Sequence, residues 1–349
     1  MSALNELRGP DTTRWPNITA AEDLSRRKLA LLTDAVRGLL PTDEGGLIVF
    51  GSLARREFTL GSDLDWAVLI DGQANSQHLQ IAREIKIEVE KAGFGRPGPT
   101  GVFGGLVFSH ELIHAIGDDE DTNRNMTRRL LLLLESAPIT ESASQIVHSR
   151  IIRGIITRYV EEDASFIRPD EQKGRIPRFL LNDVVRFWRT MAVDYANKHR
   201  ERGGEKWALR NIKLRMSRKL LFVSGLFMCA TWALNDEGSD TDAFRSLKLK
   251  EHLLLWTQRP PLESLALLVK EHAPNLADDI LGNYDRFLSL LTENEARETL
   301  ESLSPEEAYE NPVFLNAREI AIDFDSALLK LMFESDKRVA DLIKKYGVF

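Results

Sequence analysis

Residues 47–70 read LIVFGSLARREFTLGSDLDWAVLI. An apolar run, Leu47 to Phe50, stops at a Gly51-Ser52 pair, and ten residues later Asp63-Leu64-Asp65 opens a second apolar run that continues to Ile70. Each run has the length of a strand. Side chains on a strand alternate faces, so the spacing predicts Asp63 and Asp65 on one face with Leu64 turned into the core. Two carboxylates side by side repel each other unless a cation lies between them. Mg²⁺ (or Mn²⁺) is the expected occupant, because it favours carboxylate plus phosphate oxygens over an all-protein cage. A glycine and a serine at a strand-to-helix turn bring backbone N–H groups to a phosphate with no Cβ in the way. The stretch therefore predicts a metal and phosphate site at Gly51, Ser52, Asp63 and Asp65. A turn followed by a strand with two exposed aspartates is the plainer alternative. It does not explain why both acids open a strand that is otherwise apolar.

A Gly-Ser pair at this distance before Asp-x-Asp resembles the signature of the DNA polymerase β-like nucleotidyltransferase superfamily, carried here by Gly51, Ser52, Asp63 and Asp65. The resemblance implies an enzyme that transfers NMP or dNMP from a (d)NTP such as ATP to a hydroxyl and releases pyrophosphate. It implies that both aspartates hold metal ions, and that in many members a third acid sits on a later core strand. The third predicted strand, Gly101 to Phe108, contains no carboxylate, which leaves Glu111, Asp118, Asp119, Glu120 and Asp121 as the nearest choices. Asp121, at the entrance to the next helix, is the expected third ligand, by resemblance to the uridylyltransferase of bacterial nitrogen signalling. Its position before Thr122 equally suits a helix cap.

Hydrophobic content of 43% and charged content of 28% are those of an ordinary globular protein, and 349 residues suffice for two domains or one composite one. The single cysteine, Cys229, excludes a disulfide scaffold and fits a reducing cytoplasm. The N-terminus carries acids and no apolar core of a signal peptide, and the apolar run near Leu220 to Leu234 is too short for a confident membrane span. A net charge of −7 argues against generic binding of long nucleic acid. From Lys198 to Lys219, however, basic residues face only Glu201 and Glu205, a segment that suits a small polyanion or a solvated helix face.

The expected architecture is an α/β (α+β) core with a small mixed sheet, followed by a large all-helical C-terminal region. Residues 1–40 give an N-terminal helix, 41–121 the catalytic core, and 122–349 the helical region. Apolar spacing predicts a helix over 18–40, strands at Leu47–Phe50, Asp63–Ile70 and Gly101–Phe108, and helices at Ser52–Glu57 and Gln77–Ala92. Beyond Asn123 almost no strand pattern remains. Breaks are expected near Asp170 to Pro177, Glu201 to Glu205, Asn235 to Asp242 and Ser302 to Pro312.

Further candidates follow from position. Arg55 and Arg56 follow the Gly-Ser turn closely enough for Arg56 to contact a phosphate, or for either to pair with Glu57. Arg210, Lys213 and Lys219 could reach the β- and γ-phosphates, as lysines in the helical second domain of superfamily members do. Asn182, Asp183, Arg186 and Arg189 form a polar stripe on an apolar helix, with Asp183 and Arg186 spaced for an ion pair. His110-Glu111-Leu112-Ile113-His114 has the spacing of a zinc protease helix but no downstream third ligand. For the acceptor, the long helical C-terminal region resembles nucleotidyltransferases of bacterial antiphage defence, the Hailong type in particular. That layout implies a nucleotide or short oligonucleotide signal read by an effector protein, with a protein hydroxyl as primer. Tyr346 in the terminal KKYGVF offers one such hydroxyl, or packs on the core. The alternatives are nucleotidylation of a protein or small molecule, and an inactive nucleotide-binding antitoxin or scaffold. The apolar stretches Leu253–Leu255, Leu265–Val269 and Phe287–Leu291 leave room for a homodimer interface.

Overall fold

The computed structural model describes residues 2–11, 13–40, 44–95, 102–165, 176–201, 206–235 and 242–347. The N-terminal part runs α1 (Ala3–Arg8), α2 (Pro16–Ala35), β1 (Gly45–Phe50), α3 (Gly51–Ala54), β2 (Asp65–Ile70), α4 (Ser76–Lys91), β3 (Leu106–Phe108), α5 (Ser109–Ile113), α6 (Asn123–Leu134) and β4 (Ser136–Pro138). Helices then follow one another: α7 (Ser142–Ser165), α8 (Arg178–Glu201), α9 (Trp207–Lys213), a π-helical turn (Leu214–Arg218), α10 (Lys219–Asn235), α11 (Asp242–Thr257) and α12 (Pro261–His272). The chain closes with α13 (Asn283–Thr292), α14 (Asn294–Ser302), α15 (Pro305–Ala308), α16 (Pro312–Phe333) and α17 (Lys337–Tyr346). This is the expected small mixed sheet followed by helices. The expected breaks at 170–175, 202–205 and 236–241 lie outside the described residues, as does Gly101 at the start of the third predicted strand.

The sheet has the order β3-β2-β1-β4, with β2 and β3 parallel and the other pairs antiparallel. The strand alternation divides two cores. Leu47, Val49, Trp66, Val68 and Ile70 pack with Leu32, Ile85 and Val89 of α2 and α4. Ile48, Phe50, Ala67 and Leu69 point the other way, into a larger core continuous with α6 to α17. Asp65 begins the same alternation as Ala67 and Leu69, so it faces the helical side. Pairing therefore decides which wall of helices meets the acids.

β4 was not expected. Three residues are too few to show a period of two, and the five leucines of α6 run directly into it. Those leucines, Leu130 to Leu134, are all buried, so the second half of α6 is enclosed while its start, with Asn123 and Arg124, is exposed. The three stretches expected at a homodimer interface lie largely in the core: Leu253, Leu265, Val269, Phe287 and Leu288 are buried, and Leu255 is exposed. No described helix is long and apolar enough to cross a membrane.

Candidate active site

Phe50, the last residue of β1, pairs with Asp65 on one side and with Ser136 on the other. This register sets Gly51, Asp65 and Glu135, the residue before Ser136, side by side at one end of the sheet. Gly51 has φ +64°, and a Cβ there would lie 3.1 Å from Asp65 Oδ2. Glycine is thus required both by the backbone and by the carboxylate beside it. Gly51, Ser52, Asp63 and Asp65 all line one cleft of about 730 Å³. The two aspartates differ in support. β2 begins at Asp65, so Asp63 stands on the loop before it and not on the strand the sequence predicted. Leu64 between them is buried, as expected.

The cleft floor is electrostatically loaded. Arg55, following α3, is almost enclosed and donates through Nε to Glu57 at 2.9 Å and through Nη1 to Glu135. Burial alone would lower the Arg55 pKa, but Glu57 and Glu135 outweigh it and hold the guanidinium charged. Glu57 is pushed up by burial, with the Tyr284 hydroxyl of α13 beside it. Asp65 is pushed up to about 6, first by burial and then by the Glu135 and Asp63 carboxylates. A divalent cation at Asp63 and Asp65 would remove that repulsion, and Gly51 leaves the space beside Asp65 Oδ2 open. Among the described residues no group of three or more His, Cys, Asp or Glu is placed to hold a metal. Two carboxylates completed by phosphate oxygens is the Mg²⁺ pattern, and the donor set fits it.

The opposite wall is basic. Lys213 ends α9, and the π-helical turn after it places Ser217 and Arg218 on the cleft as well. Single π turns recur at functional sites because the extra residue re-aims the side chains around it. Lys213 is lowered to about 8 by burial and by the neighbouring Arg297 and Arg218, while Asp63 pulls the other way. Arg218 in turn acts on Asp65. Neither Lys213 nor Arg218 has an ion-pair partner among the described residues. Phe187, Met191, Leu221, Phe287, Leu288 and Leu291 supply an apolar lining, and Asn123, Thr127, Thr190 and Asp194 a polar one.

Several predicted residues stand elsewhere. Asp121 does not border the cleft: its carboxylate takes both Nη atoms of the fully buried Arg129, at 2.8 and 2.6 Å. Arg129 also meets Asp183, at 3.2 Å, and Tyr159, at 3.1 Å, so this network ties α6, α7 and α8 together. The predicted Asp183–Arg186 pair is present at 3.9 Å. Arg56 turns to a separate cavity of about 480 Å³ behind α3 and pairs with Glu22 at 3.3 Å. Lys219 pairs with Asp325 at 2.5 Å, and Arg210 is not among the cleft residues. Tyr346 is buried, with the Arg178 guanidinium 5.7 Å from its ring centroid. His110 and His114 stack at 4.8 Å on the surface, and Glu111 lies 3.9 Å from Arg128.

Glu135, Ser217 and Arg218 are the site residues that sequence reasoning did not select. The signal for Glu135 was an acid closing an apolar run, one residue before a strand too short to recognise. For Arg218 it was the basic segment itself, whose helical phase the π turn alters.

A family described as "Putative nucleotidyltransferase DUF294" matches residues 16–98, from the start of α2 through the Gly-Ser turn, both aspartates and α4. No curated protein and no solved structure matches the chain. Residues 16–98 thus carry a match to the nucleotidyltransferase superfamily, which supports nucleotidyl transfer as the chemistry of this cleft.

Proposed function

We propose that the chain is a metal-dependent nucleotidyltransferase that moves NMP or dNMP from a (d)NTP to a hydroxyl and releases pyrophosphate. The observation that carries this reading is a pair of cations, Lys213 and Arg218, without ion-pair partners among the described residues, set across one cleft from Asp63 and Asp65. A half-buried lysine lined by other cations is costly unless an anion joins it. Gly51 and Ser52 receive phosphate oxygens through the turn, and Lys213, Ser217 and Arg218 hold the outer phosphates. Asp63 and Asp65 would hold Mg²⁺ or Mn²⁺, which when bound neutralises charge on the reacting phosphate. The reaction forms a bond from the acceptor oxygen to the α-phosphorus and breaks the α–β bridge, with pyrophosphate as leaving group and the hydroxyl proton passing to water. Arg55 holds both Glu57 and Glu135, the latter beside Asp65. The apolar lining suits a base.

For the acceptor we propose a second nucleotide, giving a nucleotide or oligonucleotide signal of the kind made in bacterial antiphage defence. The layout supports it, a small sheet core followed by a large helical region; the cleft of about 730 Å³ lies within the roughly 300–1,000 Å³ of a one-ligand pocket and does not decide between acceptors. Tyr346 is a less apt primer. Its ring packs by Arg178, about 14 Å of helix before the first α8 residue of the cleft, Phe187. Incubation with each labelled NTP and dNTP, with products resolved as small molecules and as labelled protein, tests the proposal. Free oligomers support it. Label on Tyr346 would replace the acceptor, and no transfer to any acceptor together with no nucleotide binding would overturn the enzyme reading.

A further inference from the structure

Asp63 lies outside the sheet, yet two carboxylates that share a cation must keep a fixed separation. Leu64 is buried and anchors the C-terminal side of Asp63. On the other side Thr59 to Ser62 form a tight turn: Ser62 N–H donates to Thr59 O at 2.9 Å and Thr59 N–H donates to Ser62 Oγ at 3.0 Å. That turn is gripped from the far end of the sequence. Arg297 of α14 donates through Nη2 to Gly61 O and through Nη1 to Thr59 Oγ1 at 3.5 Å. Its Nε donates to Glu301 at 3.1 Å, and Glu301 takes Lys206 Nζ at 2.7 Å. Lys206 is the residue from which α9, the helix ending in Lys213, begins. A continuous polar chain thus joins the loop before Asp63 to the helix that presents the cleft lysine.

Resting on the nucleotidyl-transfer reading above, we propose that Arg297 is the positioning residue of the metal site. It latches the 59–62 turn so that Asp63 stands at the distance from Asp65 that a shared divalent cation needs. It also ties that turn, through Glu301 and Lys206, to the phosphate-binding wall. The Arg297 side chain is 11% exposed, so water does not readily replace it at the Gly61 carbonyl. Gly61 provides an independent handle. A Cβ at Gly61 would fall on the Arg297 guanidinium, while the backbone there is outside the left-handed region. Gly61→Ala therefore displaces the latch without straining the loop itself.

The test is Mn²⁺ binding to the full chain, followed by spin resonance both without and with a non-hydrolysable triphosphate, beside the Mn²⁺ dependence of pyrophosphate release. A charge-assisted hydrogen bond lost from one side of the site should weaken Mn²⁺ binding roughly tenfold or more. Arg297→Ala and Gly61→Ala should each do so, the double variant should be no worse than the poorer single one, and Arg297→Lys should recover part of the loss. Unchanged Mn²⁺ affinity in Gly61→Ala and Arg297→Ala would overturn the latch, and so would losses that multiply in the double variant. The two levels of failure separate cleanly. If wild-type protein binds Mn²⁺ and Asp65→Asn does not, the metal site stands and only the latch is judged by the Arg297 and Gly61 variants. If wild type and Asp65→Asn bind Mn²⁺ equally, or neither binds it even with the triphosphate present, the metal site falls, and the latch with it.

Discussion

Replacing Lys213 with methionine should make the protein more stable and worse at holding a nucleotide. Burial and the Arg297 and Arg218 charges lower Lys213 from 10.5 to about 8. At about 1.4 kcal/mol per pH unit, that fall corresponds to about 3 kcal/mol of penalty on the charged form. The side chain is half-buried and opens onto the cleft, so solvent screening brings the figure to about 1–2 kcal/mol. In the unfolded chain the group loses its proton near 10.5, and in the folded chain near 8. Wild-type stability should therefore rise with pH through that window, and the penalty is complete below it. Lys213→Met removes the penalty, raising the melting temperature of the nucleotide-free protein at pH 7 by roughly 1–3 °C and flattening its pH dependence between 8 and 10. The same change removes charge-assisted bonds to phosphate, which weakens triphosphate binding roughly 10- to 100-fold. Wild-type affinity should itself decline above pH 8 as Lys213 loses its proton. Differential scanning fluorimetry across pH and calorimetric titration with a non-hydrolysable triphosphate measure both effects. A variant that melts lower than wild type and binds the triphosphate as tightly would refute the assignment of Lys213 to the phosphates.

Other outcomes follow from the same geometry. Asp65→Asn should raise the melting temperature of the metal-free protein at pH 7, because ionising Asp65 in the folded state is opposed up to about pH 6. That gain should vanish below pH 3.8, where both states are protonated, and Mg²⁺ should stabilise wild type and not the variant. Gly51→Ala, with φ +64° and a Cβ 3.1 Å from Asp65 Oδ2, should lower both stability and turnover, read by melting and by initial rates. Asp121→Asn should destabilise by about 1–4 kcal/mol in denaturant, since it leaves Arg129 short of a charge partner, while the Mg²⁺ dependence of turnover stays unchanged. Glu135→Gln should shift that Mg²⁺ dependence, because Glu135 acts directly on Asp65.

What the sequence disclosed was local. Gly51, Ser52, Asp63 and Asp65 lie within one short stretch, and residue type and spacing were enough to expect them together; all four line the cleft. The acids of the second rank were hidden because sequence position does not say which way a helix end faces. Asp121 and Glu135 bracket the same helix, α6. The first closes an internal ion-pair network, and the second reaches the sheet end through a three-residue strand. Among the basic residues of the 198–219 segment, only folding separates Lys213 and Arg218, which border the cleft, from Lys219, which a carboxylate on α16 takes up. Arg297 was beyond reach for the same reason, since its partners Thr59 and Gly61 lie more than two hundred residues away.

Pyrophosphate release from NTPs and dNTPs tests the central claim most directly, measured for wild type, Asp63→Asn and Asp65→Asn with Mg²⁺, with Mn²⁺ and with EDTA. Wild type should release pyrophosphate with at least one nucleotide and one metal ion and none in EDTA, and either variant should lose roughly a thousandfold. Release that persists in both variants, or in EDTA, would contradict it.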